Sequence, residues 1–206
     1  MLLLGAFHGI NPGMGWLFAV ALGMQTGSVR GVWRALPPIA LGHAFAVGAV
    51  VVVAWLAQQV IPPSVLSLTV AVCLCSIGVY RLWRHRHPRY AGMCVGFGDL
   101  TVWSFLLASA HGAGIMVLPF VMSIPADVVA SGHAHMEHGV AAATMPLAAS
   151  GGALAIHTFA YFATMALAAQ LVYQKFGLML LRRAWINLDW LWAGALVVTG
   201  LVVLMT

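Results

Sequence analysis

Long apolar runs constrain the fold of this 206-residue chain more than any other feature. A helix needs about 20 mostly apolar residues to cross the hydrocarbon core of a bilayer. Six stretches meet that requirement, at approximately residues 2–24, 36–60, 65–83, 102–122, 147–172 and 188–205. Only 6% of the residues are charged, which excludes a domain with a water-facing surface. The sequence therefore predicts an all-α, polytopic membrane bundle of six transmembrane helices.

The basic residues indicate the orientation of this bundle. All nine fall at the first, third and fifth connections between the runs: Arg30, Arg34, Arg81, Arg84, Arg86, Arg89, Lys175, Arg182 and Arg183. Because cytoplasmic loops are enriched in Lys and Arg, we expect these connections on the cytoplasmic side of an inner membrane. Both termini and the loop at 123–146 are then extracytoplasmic. The net charge of +5 is a topology signal and does not indicate nucleic-acid binding.

Histidine motifs recur in the two halves of the chain. His8 and His111 each precede a glycine inside the first and fourth runs. His43 and His157, in the second and fifth runs, each begin a His-x-Phe-Ala pattern. The same order of motifs in both halves indicates an internal repeat.

A weaker correspondence joins Gly78 in the third run to Gly200 in the sixth. Because three spans separate each motif from its copy, the two copies cross the membrane in opposite directions. We therefore predict a 3+3 inverted repeat, with residues 1–90 and 91–206 as its units. Secondary transporters often have such repeats, with a substrate site where they meet.

The four histidines also predict a ligand site, because an imidazole in hydrocarbon is costly unless it has a partner or a task. Neutral imidazole binds Zn, Ni, Co and Cu. Asn11 follows His8 by three residues, and Pro12 and nearby glycines weaken that turn. Counted from the span ends, His8 and His43 lie nearer a membrane surface than the other two histidines. We predict a substrate path for a transition-metal ion that is lined by His8, Asn11, His43, His111 and His157; separate packing roles are the alternative.

The acidic residues all lie outside the span interiors: Asp99, Asp127, Glu137 and Asp189. A divalent ion at the midplane therefore has no carboxylate to balance its charge. This favours transient passage, water in the site or monovalent copper, and it disfavours a tight storage site.

The loop at 123–146 has a short histidine-rich tract, and such tracts bind transition metals. We predict a metal-capture loop formed by His133, His135, Glu137 and His138. A solvated polar loop is the alternative interpretation.

The layout and motifs together resemble the LysE-type superfamily of small six-span permeases. Gly-Ala-Phe-His at 5–8, Gly13 and Leu-Phe-Ala-Val-Ala-Leu-Gly at 17–23 look like the first helix of the hydrogenase/urease accessory nickel permeases. These belong with the nickel/cobalt permeases. Ala-His-Gly-Ala-Gly at 110–114 and Ala-Leu-Ala-Ile-His at 153–157 look like later motifs of the same proteins.

The resemblance implies membrane transport, with His8, His111 and His157 as ion-pathway residues. The accessory permeases have an Asp-His pair where Gly15 and Trp16 stand in this chain. The resemblance therefore implies transport without implying selectivity for nickel.

A permease for a transition metal is the leading hypothesis, with no obligatory cofactor. The alternatives are a membrane redox protein that binds haem b through two facing histidines, and an assembly subunit without transport activity. An enzyme is not expected, because no nucleophile with a base and an orienting acid is evident. The expected partners are the lipid bilayer and the metal ion, and homo-oligomers or accessory subunits are compatible with the sequence.

Overall fold

The computed structural model describes residues 1–83, 96–123, 147–176 and 185–205. All regular secondary structure in these ranges is helical, which confirms the all-α prediction for the described part of the chain. The elements are α1 (Leu2–Ile10), a 3₁₀-helix (Pro12–Met14), α2 (Trp16–Gln25), α3 (Val29–Ala57), α4 (Pro63–Trp83), α5 (Phe97–Ala110), α6 (Ala113–Met122), α7 (Leu147–Leu171), a π-helix (Val172–Phe176) and α8 (Trp185–Met205).

Three helical segments are long and apolar enough to cross a membrane: Val29–Ala57, Pro63–Tyr80 and Ala149–Lys175. Helices α5 and α6, which are bent by 65° at their junction, form a fourth candidate if they are counted as one span. Large apolar side chains such as Phe45 and Phe159 remain exposed on these helices. Exposure of many large apolar side chains fits contact with lipid. The described residues therefore indicate a membrane protein with three to four candidate spans.

Helix α3 begins earlier than the apolar run that predicted it. The hydroxyl of Ser28 caps the helix by accepting a hydrogen bond from the Arg30 N–H at 3.1 Å. Arg30 and Arg34 therefore lie on the first turns of α3, where both are exposed, and the prediction that they lie in a loop is wrong. The apolar run began only after these charges, but a capped helix continues through charged residues that face solvent.

The first and fourth apolar runs are each split into two helices instead of forming one continuous helix. Gly15, just before α2, has φ +123°, and Gly112, just before α6, has φ +72°. Glycine adopts these left-handed conformations readily because it has no Cβ. The Trp16 indole N–H donates to the Ile10 carbonyl at 3.0 Å, so the first break leaves this carbonyl satisfied. Each break places a non-helical turn inside an apolar run.

The most extensive helix contacts join α1 to α7, α3 to α5 and α4 to α8. Gly9 shows how closely the first pair packs, since a Cβ there would lie 2.5 Å from the Tyr161 carbonyl oxygen. Helix α3 also contacts α7, so α1, α3 and α7 meet at the centre of the bundle. Three of the four predicted histidines, His8, His43 and His157, lie at this meeting point.

Candidate functional site

His8, His43 and His157 form one cluster inside the bundle. The ring centroid of His8 lies 4.9 Å from that of His157 and 5.5 Å from that of His43. The centroids of His43 and His157 are 5.7 Å apart. All three side chains are completely buried. Helices α1, α3 and α7 thus hold the rings at one level of the bundle, whereas the sequence suggested a shallower position for His8 and His43 than for His157.

His43 and His157 make the closest contact in this cluster. Their Nε2 atoms are 3.4 Å apart and the ring planes differ by 12°. Two imidazole nitrogens bound to one tetrahedral ion at about 2.0–2.1 Å would lie roughly 3.3 Å apart. The pair therefore already has the spacing of two ligands on a single ion.

The Nδ1 atoms of His43 and His157 have no hydrogen-bond partner among the described residues. A buried polar atom without a partner costs about 1–3 kcal/mol. Buried nitrogens without a protein partner call for a further partner, such as an ordered water or a bound ion.

His8 and His111 are anchored in the same way. The Nδ1 of His8 is 2.7 Å from the Leu4 carbonyl oxygen, and the Nδ1 of His111 is 2.7 Å from the Leu107 carbonyl oxygen. Because a carbonyl only accepts, Nδ1 donates and the neutral ring has its lone pair on Nε2. Metal-binding histidines are commonly oriented by this bond to a backbone carbonyl. Both rings are therefore in the tautomer that uses Nε2 as a ligand.

His111 lies against the broken turn between α1 and α2. A Cβ on Gly13 would lie 3.0 Å from the His111 Nε2 and 3.3 Å from the Asn11 Oδ1. Asn11 Oδ1 also accepts a hydrogen bond from the Gly13 N–H at 2.9 Å. Asn11 and His111 are both buried. The break thus brings together two of the predicted path residues from opposite halves of the chain.

Tyr161 supports the cluster and was not among the predicted site residues. Its ring stacks on that of His43, with the centroids 3.9 Å apart and the planes 10° from parallel. Its hydroxyl donates to the Met14 carbonyl at 2.6 Å, in the broken turn of the first run. The sequence does contain a signal for Tyr161: it is a polar residue one helical turn after His157 in an otherwise apolar helix.

Replacing Tyr161 by Phe should destabilise the protein by about 1–3 kcal/mol, because the Met14 carbonyl loses a buried donor while the ring stacking remains. Thermal unfolding in detergent measures this loss. Tyr161→Leu should lower the unfolding temperature further, since it removes the stacked ring as well. Equal stability of wild type and Tyr161→Phe would show that the hydrogen bond has no structural role.

The cluster is not a complete metal centre in this conformation. Within the described ranges, no group of three or more His, Cys, Asp or Glu side chains is arranged to hold an ion. The His43 and His157 pair supplies two nitrogens, and His8 requires a shift of its ring to supply a third. With 3.4 Å between their Nε2 atoms, the His43 and His157 rings are in direct contact in this conformation, so binding of haem b between them would require the rings to move apart.

The predicted metal-capture loop, with His133, His135, Glu137 and His138, lies outside the described residues. So does the junction between the two predicted repeat units at residue 90. No protein-family model, curated protein or solved structure matches the chain.

Proposed function

We propose that the chain is an integral membrane permease that moves a transition-metal ion along a histidine-lined path between two three-helix repeats. The observation that carries this proposal is the convergence of His8, His43 and His157, with no solvent exposure, from three separate helices. Polar side chains are rare in membrane interiors and are usually kept there for a task. Three neutral imidazoles in contact match the ligand preference of Zn, Ni, Co and Cu.

The helix contacts support the inverted repeat in this proposal. In the proposed repeat, α1 corresponds to α5, α3 to α7 and α4 to α8. The contact between α1 and α7 then has its copy in the contact between α5 and α3, and the contact between α4 and α8 is its own copy. Gly78 on α4 packs against Val197, whereas Gly200 on α8 packs against Cys75. His8 and His111 correspond as well, because the Nδ1 of each ring bonds to the backbone carbonyl four residues earlier.

In this arrangement α1 and α2 form one broken span, α5 and α6 form another, and α8 is the sixth span. His43 and His157 occupy equivalent positions and contact each other, so the pseudo-twofold axis passes between them. An ion at this point would be shared by the two repeats. Rocking one repeat against the other would then expose it to alternate sides of the membrane.

The broken helices compensate for the lack of a carboxylate in the cluster. His8 lies in the last turn of α1, and His111 directly follows the last residue of α5. The C-terminal end of a helix has a partial negative charge that stabilises a nearby cation. Two such ends beside neutral imidazoles favour passage of a cation without a tight storage site.

We place the protein in the inner membrane, with the basic connections in the cytoplasm. The histidine-rich loop at 123–146 is then extracytoplasmic, where His133, His135, Glu137 and His138 would collect the ion at the mouth of the path. The lipid bilayer and the ion are the partners that this proposal requires.

Flux into proteoliposomes tests the proposal. Vesicles that contain the purified protein and a metal-sensitive dye are mixed with Zn²⁺, Ni²⁺, Co²⁺ or Cu⁺, and protein-free vesicles serve as the control. We expect saturable uptake of at least one ion. Correctly folded protein that moves none of the four ions would contradict the proposal, and a Soret band in the purified protein would favour the haem alternative.

A further inference from the structure

We propose that the path contains two ligand stations of different chemistry, an inference that rests on the proposed function. The axis station consists of His8, His43 and His157 and offers only nitrogen. The break station consists of the Asn11 side-chain oxygen and the His111 Nε2, and it offers one oxygen and one nitrogen. An ion would pass between the two stations along the end of α1.

The break station depends on the contacts around Gly13. The His111 Nε2 and the Asn11 Oδ1 both lie within 3.3 Å of the point where a Cβ on Gly13 would be. The bond from the His111 Nδ1 to the Leu107 carbonyl fixes the lone pair on this Nε2. The absence of a side chain at Gly13 is what lets the ring tip lie directly against the broken turn.

The C-terminal end of α1 supplies one metal ligand to each station. His8 contacts the rings of His43 and His157, while Asn11 caps the same helix and donates its backbone N–H to the His8 carbonyl at 3.3 Å. Asn11 has an extended backbone, with φ −69° and ψ 119°, so its side chain belongs to the broken turn and not to the helix. The two stations are therefore adjacent but distinct.

The chemistry of the break station indicates the substrate class. An amide oxygen with an imidazole nitrogen suits a borderline divalent ion such as Ni²⁺, Co²⁺ or Zn²⁺, whereas Cu⁺ prefers sulfur ligands. Cys73, on α4, is exposed, and Cys75 faces the Val197 carbonyl on α8, so neither belongs to the stations. Because the proposed donors of both stations are nitrogen and oxygen, we infer a divalent ion; Met14, buried in the same broken turn, is the sulfur ligand that transport of Cu⁺ alone would implicate instead.

Gly13 offers a direct probe of the break station. Its φ is not positive, so alanine fits the backbone conformation. The added Cβ would nevertheless displace the His111 ring tip by a few tenths of an ångström. Gly152→Ala is the matched control, because Gly152 is exposed on α7 and a Cβ there meets nothing within 4 Å.

The test counts ions bound to the full chain in lipid nanodiscs, by equilibrium dialysis against Co²⁺ followed by elemental analysis. Wild type and Gly152→Ala should bind two ions per chain at saturation. Asn11→Ala combined with His111→Ala should bind one, as should His43→Ala combined with His157→Ala. Gly13→Ala should weaken binding of one ion while leaving the other unchanged.

Two outcomes would overturn the two-station inference. Wild type that binds a single Co²⁺ yet transports it would leave the permease proposal intact and exclude a second station. Two ions bound after loss of both Asn11 and His111 side chains would show that the second ion lies elsewhere. Wild type that neither binds nor transports any of the four metals would instead contradict the proposed function itself. Circular dichroism and size-exclusion chromatography show which variants are folded.

Discussion

His157→Ala is expected to reduce metal flux in proteoliposomes to the level of protein-free vesicles, while the protein remains folded. The substitution removes one of the two Nε2 atoms that are 3.4 Å apart at the centre of the cluster. Loss of a residue that only orients a metal ligand typically costs 10–100-fold in affinity or activity. Loss of the ligand itself should cost at least as much, so we expect a reduction of more than about tenfold.

His43→Ala should reduce the flux to the same extent, because His43 and His157 contribute equivalent atoms to one pair. Phe159→Leu is the control. Phe159 lies on the same helix as His157, but 70% of its surface is exposed, so it points away from the buried histidines. Flux should be unchanged in this variant. Normal flux in folded His157→Ala would show that the ion does not use the cluster, and the permease proposal would lose its site.

Gly5→Ala is expected to destabilise the protein strongly, through packing rather than chemistry. A Cβ on Gly5 would overlap the His157 carbonyl oxygen and lie 2.9 Å from the Ala160 Cβ. A backbone carbonyl cannot rotate away as a flexible side chain does, so α1 must move off α7. Overpacking of this kind typically costs 1–3 kcal/mol, and we expect about 3 kcal/mol because the clash is with backbone.

Gly152→Ala should instead stabilise the protein. It also replaces a helical glycine, but a Cβ there meets nothing within 4 Å, so the gain in helix propensity of up to about 1 kcal/mol should prevail. The unfolding temperature in detergent, measured for both variants, checks the pair. A Gly5→Ala protein as stable as wild type would show that α1 and α7 are not packed this closely.

The helices were largely predictable from the sequence, and the reason is the length of the apolar runs. The described helices fall within or around the six predicted stretches, because a bilayer imposes a minimum length on every span. The glycines and Pro12 indicated a weakened turn in the first run, and the structure has a break there. The exact start of α3 was missed, because the cap at Ser28 does not depend on hydrophobicity.

The candidate site was only partly predictable. His8, His43 and His157 were predicted because imidazole is unusual in an apolar run and because the histidines recur at corresponding positions of the two halves, both of which can be read from the sequence. Their mutual distances depend on how α1, α3 and α7 pack, and no local pattern encodes contacts between residues as far apart as His43 and His157. Tyr161 was missed because tyrosine is common in membrane helices, and its importance comes from its contacts with His43 and Met14.

The contact between the Nε2 atoms of His43 and His157 has a consequence for the protonation of the two rings. A neutral imidazole has one proton, so in a bond between two such rings one ring donates and the other accepts. The two rings are thus forced into different protonation patterns, and exchanging both tautomers reverses donor and acceptor. Any motion that separates α3 from α7 at this level must break this bond as well as the packing between the two helices.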